Sequence, residues 1–270
     1  MTSAGGSMLV KPDAKVSLKD HDPDDTGPYR SEEEVQGPLD ELRHELYKLQ
    51  SLFYADRRFA LLVILQGMDA SGKDGTIRHV MSGLNPQGVS VVPFKVPNDE
   101  ERAHDYLWRV HKVTPRYGQM AIFNRSHYED VLVVRVHDLA PKKVWKKRFD
   151  QINEFEHILT QNNVVILKFF LHVSKDEQKK RLEERLSDPK RHWKFSAKDV
   201  EERRHWDEYV KAYEDALEKC STKRAPWYVV PADHKWYRNL VVAETIVETM
   251  RGMDLKYPEP AEDLSKIIID

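Results

Sequence analysis

Cysteine occurs once in the 270-residue chain, at Cys220. A single thiol excludes an internal disulfide framework and a cysteine-built zinc site, and it fits a reducing, cytoplasmic setting. No stretch of about 18 apolar residues occurs, so no membrane span and no membrane partner are expected. The N-terminus also lacks the apolar core of a signal peptide. Net charge is scarce too. Charged residues make up 33% of the chain, but the formal net charge is only −2. No overall basic excess points to nucleic acid, so a polyanion would have to be met by local clusters. The twelve histidines show no metal-ligand spacing. There is no internal repeat, no guanine-reading Asn-Lys-x-Asp motif, and no apolar strand ending in the Asp-Glu of motor and transporter ATPases. The length suffices for one large α/β domain with a full core.

What is present centres on residues 61–75. The apolar run Leu61-Leu62-Val63-Ile64-Leu65 reads as a buried parallel strand. It enters Gly67-Met68-Asp69-Ala70-Ser71-Gly72-Lys73, which has the G-x-x-x-x-G-K spacing of a phosphate-cradling loop. Its glycines let backbone N–H groups turn onto phosphate oxygens. Ile77, Val80, Met81 and Leu84 follow at helical spacing, so a helix starting near Gly72 aims its positive end at the same place. A plain turn between a core strand and a helix is the alternative. Two acids are unusual. Asp74 stands where a Ser or Thr commonly holds Mg²⁺, and Asp69 sits inside the loop. Carboxylates beside bound phosphate repel it unless a cation lies between them. Acidic Mg²⁺ ligands are therefore expected, or a carboxylate acting on the reacting phosphoryl group.

Residues 1–30 are polar and read as an extended arm that wraps the domain or reaches a partner; Met1–Ser7 reads as an unordered or added start. Ser31-Glu32-Glu33-Glu34 predicts a capping-box helix start. Leu39, Leu42, Leu46, Leu49 and Phe53 then form a seam for packing on the chain's own sheet or for a dimer. Further strands are expected at 89–94, 119–123, 164–171 and 226–230. Helices are expected around Tyr106–Trp108 and at 126–137, 142–161, 199–219 and 241–250. Strands alternating with helices predict a parallel sheet covered on both faces. The expected organisation is an arm over 1–30, a phosphotransferase domain over 31–257 with a lid at about 175–205, and a surface tail over 258–270.

Two clusters carry chemistry besides the loop. Asn124-Arg125-Ser126-His127-Tyr128-Glu129-Asp130 follows the third strand, and ligands in open parallel sheets sit beyond the carboxyl ends of strands. After the fourth strand, Arg181, Arg185, Lys190 and Arg191 form a basic, proline-broken segment placed like the lid of a nucleotide kinase. A phosphotransferase needs such cations to offset charge on a phosphoryl group moving between two anions. Lys95 lies in a polar connection near the second strand. Lys142, Lys143, Lys146, Lys147 and Arg148 begin one helix without an acid among them, as a solvated face or a guide for a polyanion.

Gly67–Gly75, Phe123–Asp130, Asp188–Ser196 and Pro226–Asp233 together resemble polyphosphate kinase type 2, over about residues 30–255. The resemblance implies a thymidylate-kinase-like P-loop kinase fold, with a parallel sheet flanked by helices and a helical lid. It also implies Mg²⁺-dependent transfer of a terminal phosphoryl group between inorganic polyphosphate and a nucleotide. By motif, Asp69 corresponds to the family's loop aspartate, Lys73 to its phosphate-binding lysine and Arg125 to the arginine after the third strand. Arg185 corresponds to a lid arginine that contacts phosphate. Many members have Asp where this chain has Asn124, so metal binding is expected to lean on Asp69 or Glu129. The pattern is similar to the class III subgroup, which accepts nucleoside mono- and diphosphates. The expected catalytic set is Asp69, Lys73, Arg125, Glu129 and Arg185. The expected phosphate and nucleotide contacts are Gly67, Met68, Ala70, Ser71, Gly72, Asp74, Gly75, Lys95, Asn124, Arg181, Lys190 and Arg191. The expected activity converts AMP through ADP to ATP in a homo-oligomer. An ATP-dependent nucleoside or nucleotide kinase, and a non-catalytic nucleotide-binding switch, are the alternatives.

Overall fold

The computed structural model describes residues 8–269; the reading of Met1–Ser7 lies outside them. Five parallel strands form one sheet in the order β2-β3-β1-β4-β5: β1 Ala60–Gln66, β2 Val89–Pro93, β3 Met120–Asn124, β4 Val164–His172 and β5 Trp227–Pro231. The apolar β1 takes the centre, paired with β3 on one side and β4 on the other. All seven of its residues are buried, as a strand covered on both faces should be. Its carboxyl end releases the chain into the Gly67 loop, with the ends of β3 and β4 alongside.

The helices are α1 Glu32–Asp56, α2 Lys73–Val80, α3 Asp99–Arg102, α4 Trp108–His111, α5 Val133–Val136, α6 Lys142–Gln161, α7 Lys175–Ser187, α8 Ala197–Glu202, α9 Trp206–Cys220 and α10 Lys235–Arg251. The seam of α1 packs on α10 of the same chain, with Leu46 and Phe53 buried. Residues 8–10 bridge to the free edge of β5: Val10 N–H donates to Trp227 O at 2.9 Å and Val229 N–H to Met8 O at 2.8 Å.

Several local expectations need correction. Ser31 makes no capping hydrogen bond, because Glu34 accepts from the Arg30 N–H at 2.8 Å instead. Residues 126–137 are not one helix; a 3₁₀ turn over His127–Asp130 precedes the short α5. The helix expected over 199–219 is split by a 3₁₀ turn at Arg203–His205. The last helix begins at Lys235 rather than Val241, so its first turns lie much closer to the Gly67 loop.

A buried polar network fixes the turn after β3. Lys168 Nζ on β4, fully buried, donates to Glu156 Oε2 at 2.5 Å, Cys220 O at 2.7 Å and Tyr128 Oη at 2.9 Å. Tyr128 Oη in turn donates to Glu156 Oε1 at 2.9 Å, and His127 Nε2 lies 3.3 Å from the same oxygen. Burial works against the Glu156 charge, yet Lys168 and His127 hold its carboxyl below the usual range. Removing one partner of a buried pair leaves the other charge uncompensated, which costs about 3–5 kcal/mol. Glu156→Leu should lose that much by denaturant unfolding, and Lys168→Met added to it should restore most of the loss. A single variant within about 1 kcal/mol of wild type would show that the network does not hold the turn.

Candidate active site

The loop from Gly67 to Lys73 is held by its carbonyls. Gln178 Nε2 on α7 donates to Asp69 O at 2.9 Å. Arg181 Nη1 donates to Ala70 O at 3.0 Å and Ser71 O at 3.2 Å. Lys73 Nζ donates to Gly67 O at 2.7 Å and Met68 O at 3.0 Å. The Ser71 N–H closes a turn onto Met68 O at 3.1 Å; with these acceptors tied down, the first-turn N–H groups of α2, which have no intrahelical partners, are left for a ligand. The path demands special backbone. Gly67 has φ 154°, and a Cβ there would come within 2.7 Å of Leu171 O. Gly72 has φ 106°. Ala70, at φ 60°, and Arg125, at φ 63°, are left-handed without being glycine, which costs on the order of 1 kcal/mol or more each.

Arg125 joins the acids. Its Nη2 donates to Asp69 Oδ1 at 2.6 Å and its Nη1 to Glu129 Oε2 at 3.2 Å. Glu129 Oε1 accepts from Gln66 Nε2 at 2.9 Å. Asn124 Nδ2 donates to Asp74 Oδ1 at 2.6 Å. The neutral amide thus pairs with an acid where a second carboxylate would repel it.

These groups border a cleft of about 1120 Å³. Twelve lysines and arginines line it against six carboxylates. Of the residues expected from the sequence, Asp69, Ala70, Gly72, Lys73, Asp74, Gly75, Lys95, Asn124, Arg125, Arg181, Arg185, Lys190 and Arg191 all face it. Arg185 pairs with Asp199 at 3.1 Å, and Lys190 and Arg191 sit in the exposed 3₁₀ segment Pro189–Lys194.

Not all of the expected residues serve the cleft directly. Gly67, Met68 and Ser71 shape the loop from behind and do not line the cleft. Arg181 is a brace: besides the two loop carbonyls, it donates to Ala232 O, Asp233 O and Glu177, engaging both terminal nitrogens and Nε. Glu129 borders a small adjoining pocket with Asp69, Arg125, Tyr209 and Tyr213. Lys142, Lys143, Lys146, Lys147 and Arg148 lie outside the cleft, and Arg148 is spent on Asp130 at 2.9 Å. The cleft also holds Lys194 of the expected basic segment, and cations the sequence reading missed: Arg43, Arg78, Lys235 and Arg238. One signal was available for Lys235 and Arg238. Cations in the opening turn of a helix are out of place against its dipole unless an anion lies nearby.

The polyphosphate kinase 2 family model matches residues 29–258. The chain belongs to the polyphosphate kinase 2 family. It is 52% identical over 262 residues to the AMP/ADP-polyphosphate phosphotransferase of Meiothermus ruber, covering 97% of this chain and 98% of that protein. It is 47% identical over 243 residues to the ADP-polyphosphate phosphotransferase of Rhodopseudomonas palustris, covering 86% and 84%. The crystal structure of polyphosphate kinase 2 from Arthrobacter aurescens TC1 superposes with a TM-score of 0.90 at 40% identity, covering 95% of each chain.

The donor set of this polyphosphate kinase 2 chain fits Mg²⁺ only in part. Among the described residues no group of three or more His, Cys, Asp or Glu side chains is arranged to hold a metal. Mg²⁺, however, is commonly held by one or two carboxylates with substrate phosphates and water. Asp69 and Asp74 supply such oxygens in the cleft, each with one oxygen engaged, by Arg125 and Asn124 respectively. Glu129, expected as a second ligand, has a partner on each oxygen and lies off the cleft. Asp69 and Asp74 are thus the carboxylates that suit Mg²⁺ bound together with substrate.

Lys73 is 8% exposed. Burial, and then the positive charge of Arg125, push its ammonium down to about 8. Free protein therefore loses this charge as pH rises through about 8, whereas bound phosphate favours the protonated form. We expect kcat/KM, which reports the free enzyme, to fall above that pH while kcat persists to higher pH. A flat kcat/KM profile from about pH 7 to about pH 10 would show that Lys73 does not titrate as a phosphate ligand.

Proposed function

We propose that this chain moves the terminal phosphoryl group of inorganic polyphosphate to AMP and to ADP, yielding ADP and ATP. The carrying observation is the cation-rich cleft of about 1120 Å³ around the loop, larger than a nucleotide's own phosphates require. Family membership and the activities named for the Meiothermus ruber and Rhodopseudomonas palustris relatives support the same reading. The buried thiol of Cys220 supports a reducing, cytoplasmic setting, and no helix among the described residues is long and apolar enough to cross a membrane.

In this reading an oxygen of the acceptor's last phosphate attacks the terminal phosphorus of the chain. One P–O bond forms, the bridging P–O bond breaks, and the shortened polyphosphate keeps its electron pair. Lys73 leaves the loop carbonyls for phosphate oxygens, joining the loop and α2 N–H groups. Arg125, aimed by Asp69 and Glu129, meets charge on the phosphoryl group in flight. Arg185, Lys190 and Arg191 screen the chain from the lid side. Bound Mg²⁺, held by Asp69 and Asp74 with the phosphates, would neutralise charge on the reacting oxygens.

Purified protein given AMP and polyphosphate without ATP should produce ADP and then ATP; product that requires added ATP would favour the rival nucleotide kinase. Lys73→Ala should lower turnover at least about a hundredfold, the scale of one lost electrostatic stabiliser, with the fold intact by circular dichroism. Near-normal turnover would make the loop structural.

Glu129 supports a second expectation. An AMP phosphate must reach the donor from one phosphate unit farther back than ADP, and the Glu129 pocket shares Asp69 and Arg125 with the cleft. Glu129→Ala should therefore slow AMP phosphorylation more than ADP phosphorylation at saturating polyphosphate. Equal losses would leave Glu129 as the partner of Arg125 alone.

A further inference from the structure

The helix that leads into the lid has almost no apolar face. Of the 13 residues of α7 only Gln178, Arg181 and Leu182 are buried, and Leu182 stands apart from the main apolar core. An apolar stripe ordinarily sets where a helix lies, and α7 has none to use. Hydrogen bonds place it instead. Gln178 and Arg181 tie its middle to the loop carbonyls of Asp69, Ala70 and Ser71. Its start is placed by Asp233, two residues beyond β5.

Asp233 Oδ1 accepts from the Ser174 N–H at 2.8 Å. Ser174 is the N-cap of α7, and its Oγ accepts from the Glu177 N–H at 3.1 Å. Asp233 O accepts from Arg181 Nη2 at 2.8 Å. One residue thus holds α7 at its cap and again about two turns further on. A charged acceptor makes the stronger hydrogen bond, and a carboxylate at this end suits the helix dipole.

Asp233 is held in turn by the N-terminal arm. Its N–H donates to Pro23 O at 3.0 Å, and the arm is pinned on both sides of Pro23. Before it, Leu18 is buried and its N–H donates to Glu214 Oε1 of α9 at 2.9 Å. After it, Asp24 Oδ1 lies 2.8 Å from His234 Nε2. At Gly27 φ is 55°, and a Cβ there would come within 2.7 Å of Tyr237 Oη. The arm therefore runs closely against the first turn of α10.

We propose that Asp233 is a positioning residue for phosphoryl transfer: it sets the lid helix on the phosphate loop, and the arm over residues 18–27 locks it there. Neither touches substrate. Their effect runs through Ser174 and Arg181 to the loop, and along α7 to Arg185, Lys190 and Arg191 of the lid. The link to transfer rests on the polyphosphate reading of the cleft; the joint between arm, Asp233 and α7 does not.

The test compares Asp233→Ala with Asp233→Asn, whose amide oxygen can still accept from Ser174, and with Gly27→Ala, which presses the arm off Tyr237 and leaves Asp233 in place. Steady-state rates with AMP and with ADP are read beside hydrogen exchange across α7 and the loop. In Asp233→Ala, kcat should fall about tenfold to a hundredfold with either acceptor, the scale of a small misplacement remote from the chemistry. KM for AMP should change less than about twofold, and exchange should quicken through residues 175–182. Asp233→Asn should recover most of kcat. Gly27→Ala should quicken exchange in the same segment and lower kcat in the same way, by less. A lower melting temperature with kcat of the folded protein unchanged would make Asp233 a structural residue only and overturn the proposal. A loss in Asp233→Asn as deep as in Asp233→Ala would overturn it too, since the accepting oxygen would then not be what matters. Faster exchange in the arm of Gly27→Ala, with α7 and kcat as in wild type, would remove the arm from the joint. If wild type transfers nothing from polyphosphate, the functional reading fails, while exchange along α7 in the variants still decides the joint.

Discussion

Everything at this site depends on where the loop carbonyls go. A chain that turns its N–H groups toward anions must present its C=O groups the other way, and buried carbonyls need donors. Lys73, Gln178, Arg181 and Arg238 provide them, from the loop itself, α7 and α10. Cationic donors make the stronger hydrogen bonds, and they also raise the positive potential behind the loop. The residues that shape the cradle thus charge it as well. That double use explains why so many cations converge on one turn of backbone in a chain whose net charge is close to zero.

The sheet and the loop were legible in the sequence because local chemistry leaves little choice there. A buried parallel strand must be continuously apolar, and a phosphate loop must place glycine where a positive φ coincides with crowding by Leu171 O or Arg238, as at Gly67 and Gly72. The family match over residues 29–258 agrees with the motifs that suggested it. Less legible were roles decided by distant partners. Arg181 read as a phosphate ligand because it is a basic residue in a lid segment; only the fold brings Ala232 and Asp233 to it. The basic start of α6 read as a possible polyanion guide, and its side chains lie outside the cleft. The opening of α10 was missed because Lys235-Trp236-Tyr237-Arg238-Asn239 lacks an apolar period: its buried face meets polar loop backbone as well as core.

The same tertiary constraint explains Asn124. A carboxylate there would face Asp74 across 2.6 Å, and two acids at that distance tolerate each other only with a proton or a cation between them. The amide removes that requirement and gives Asp74 a hydrogen-bond donor beside the loop instead. A metal bound here would draw on fewer protein charges, and more on phosphates that come with a substrate.

The lid is tied into this arrangement by a short relay. Arg203, at its far end, donates through Nη1 to Gln178 Oε1 at 2.8 Å and to Lys175 O at 2.6 Å. Gln178 passes its amide to Asp69 O at 2.9 Å, and the Asp69 side chain holds Arg125. Farther out, Arg185 and Asp199 close the lid on itself. Arg185 faces the cleft while paired with Asp199, so a phosphate that takes up Arg185 has to compete with that carboxylate. The outer segment is thus held by internal pairing, while Asp69 and Arg125 are anchored through Gln178 to α7 and so share one support.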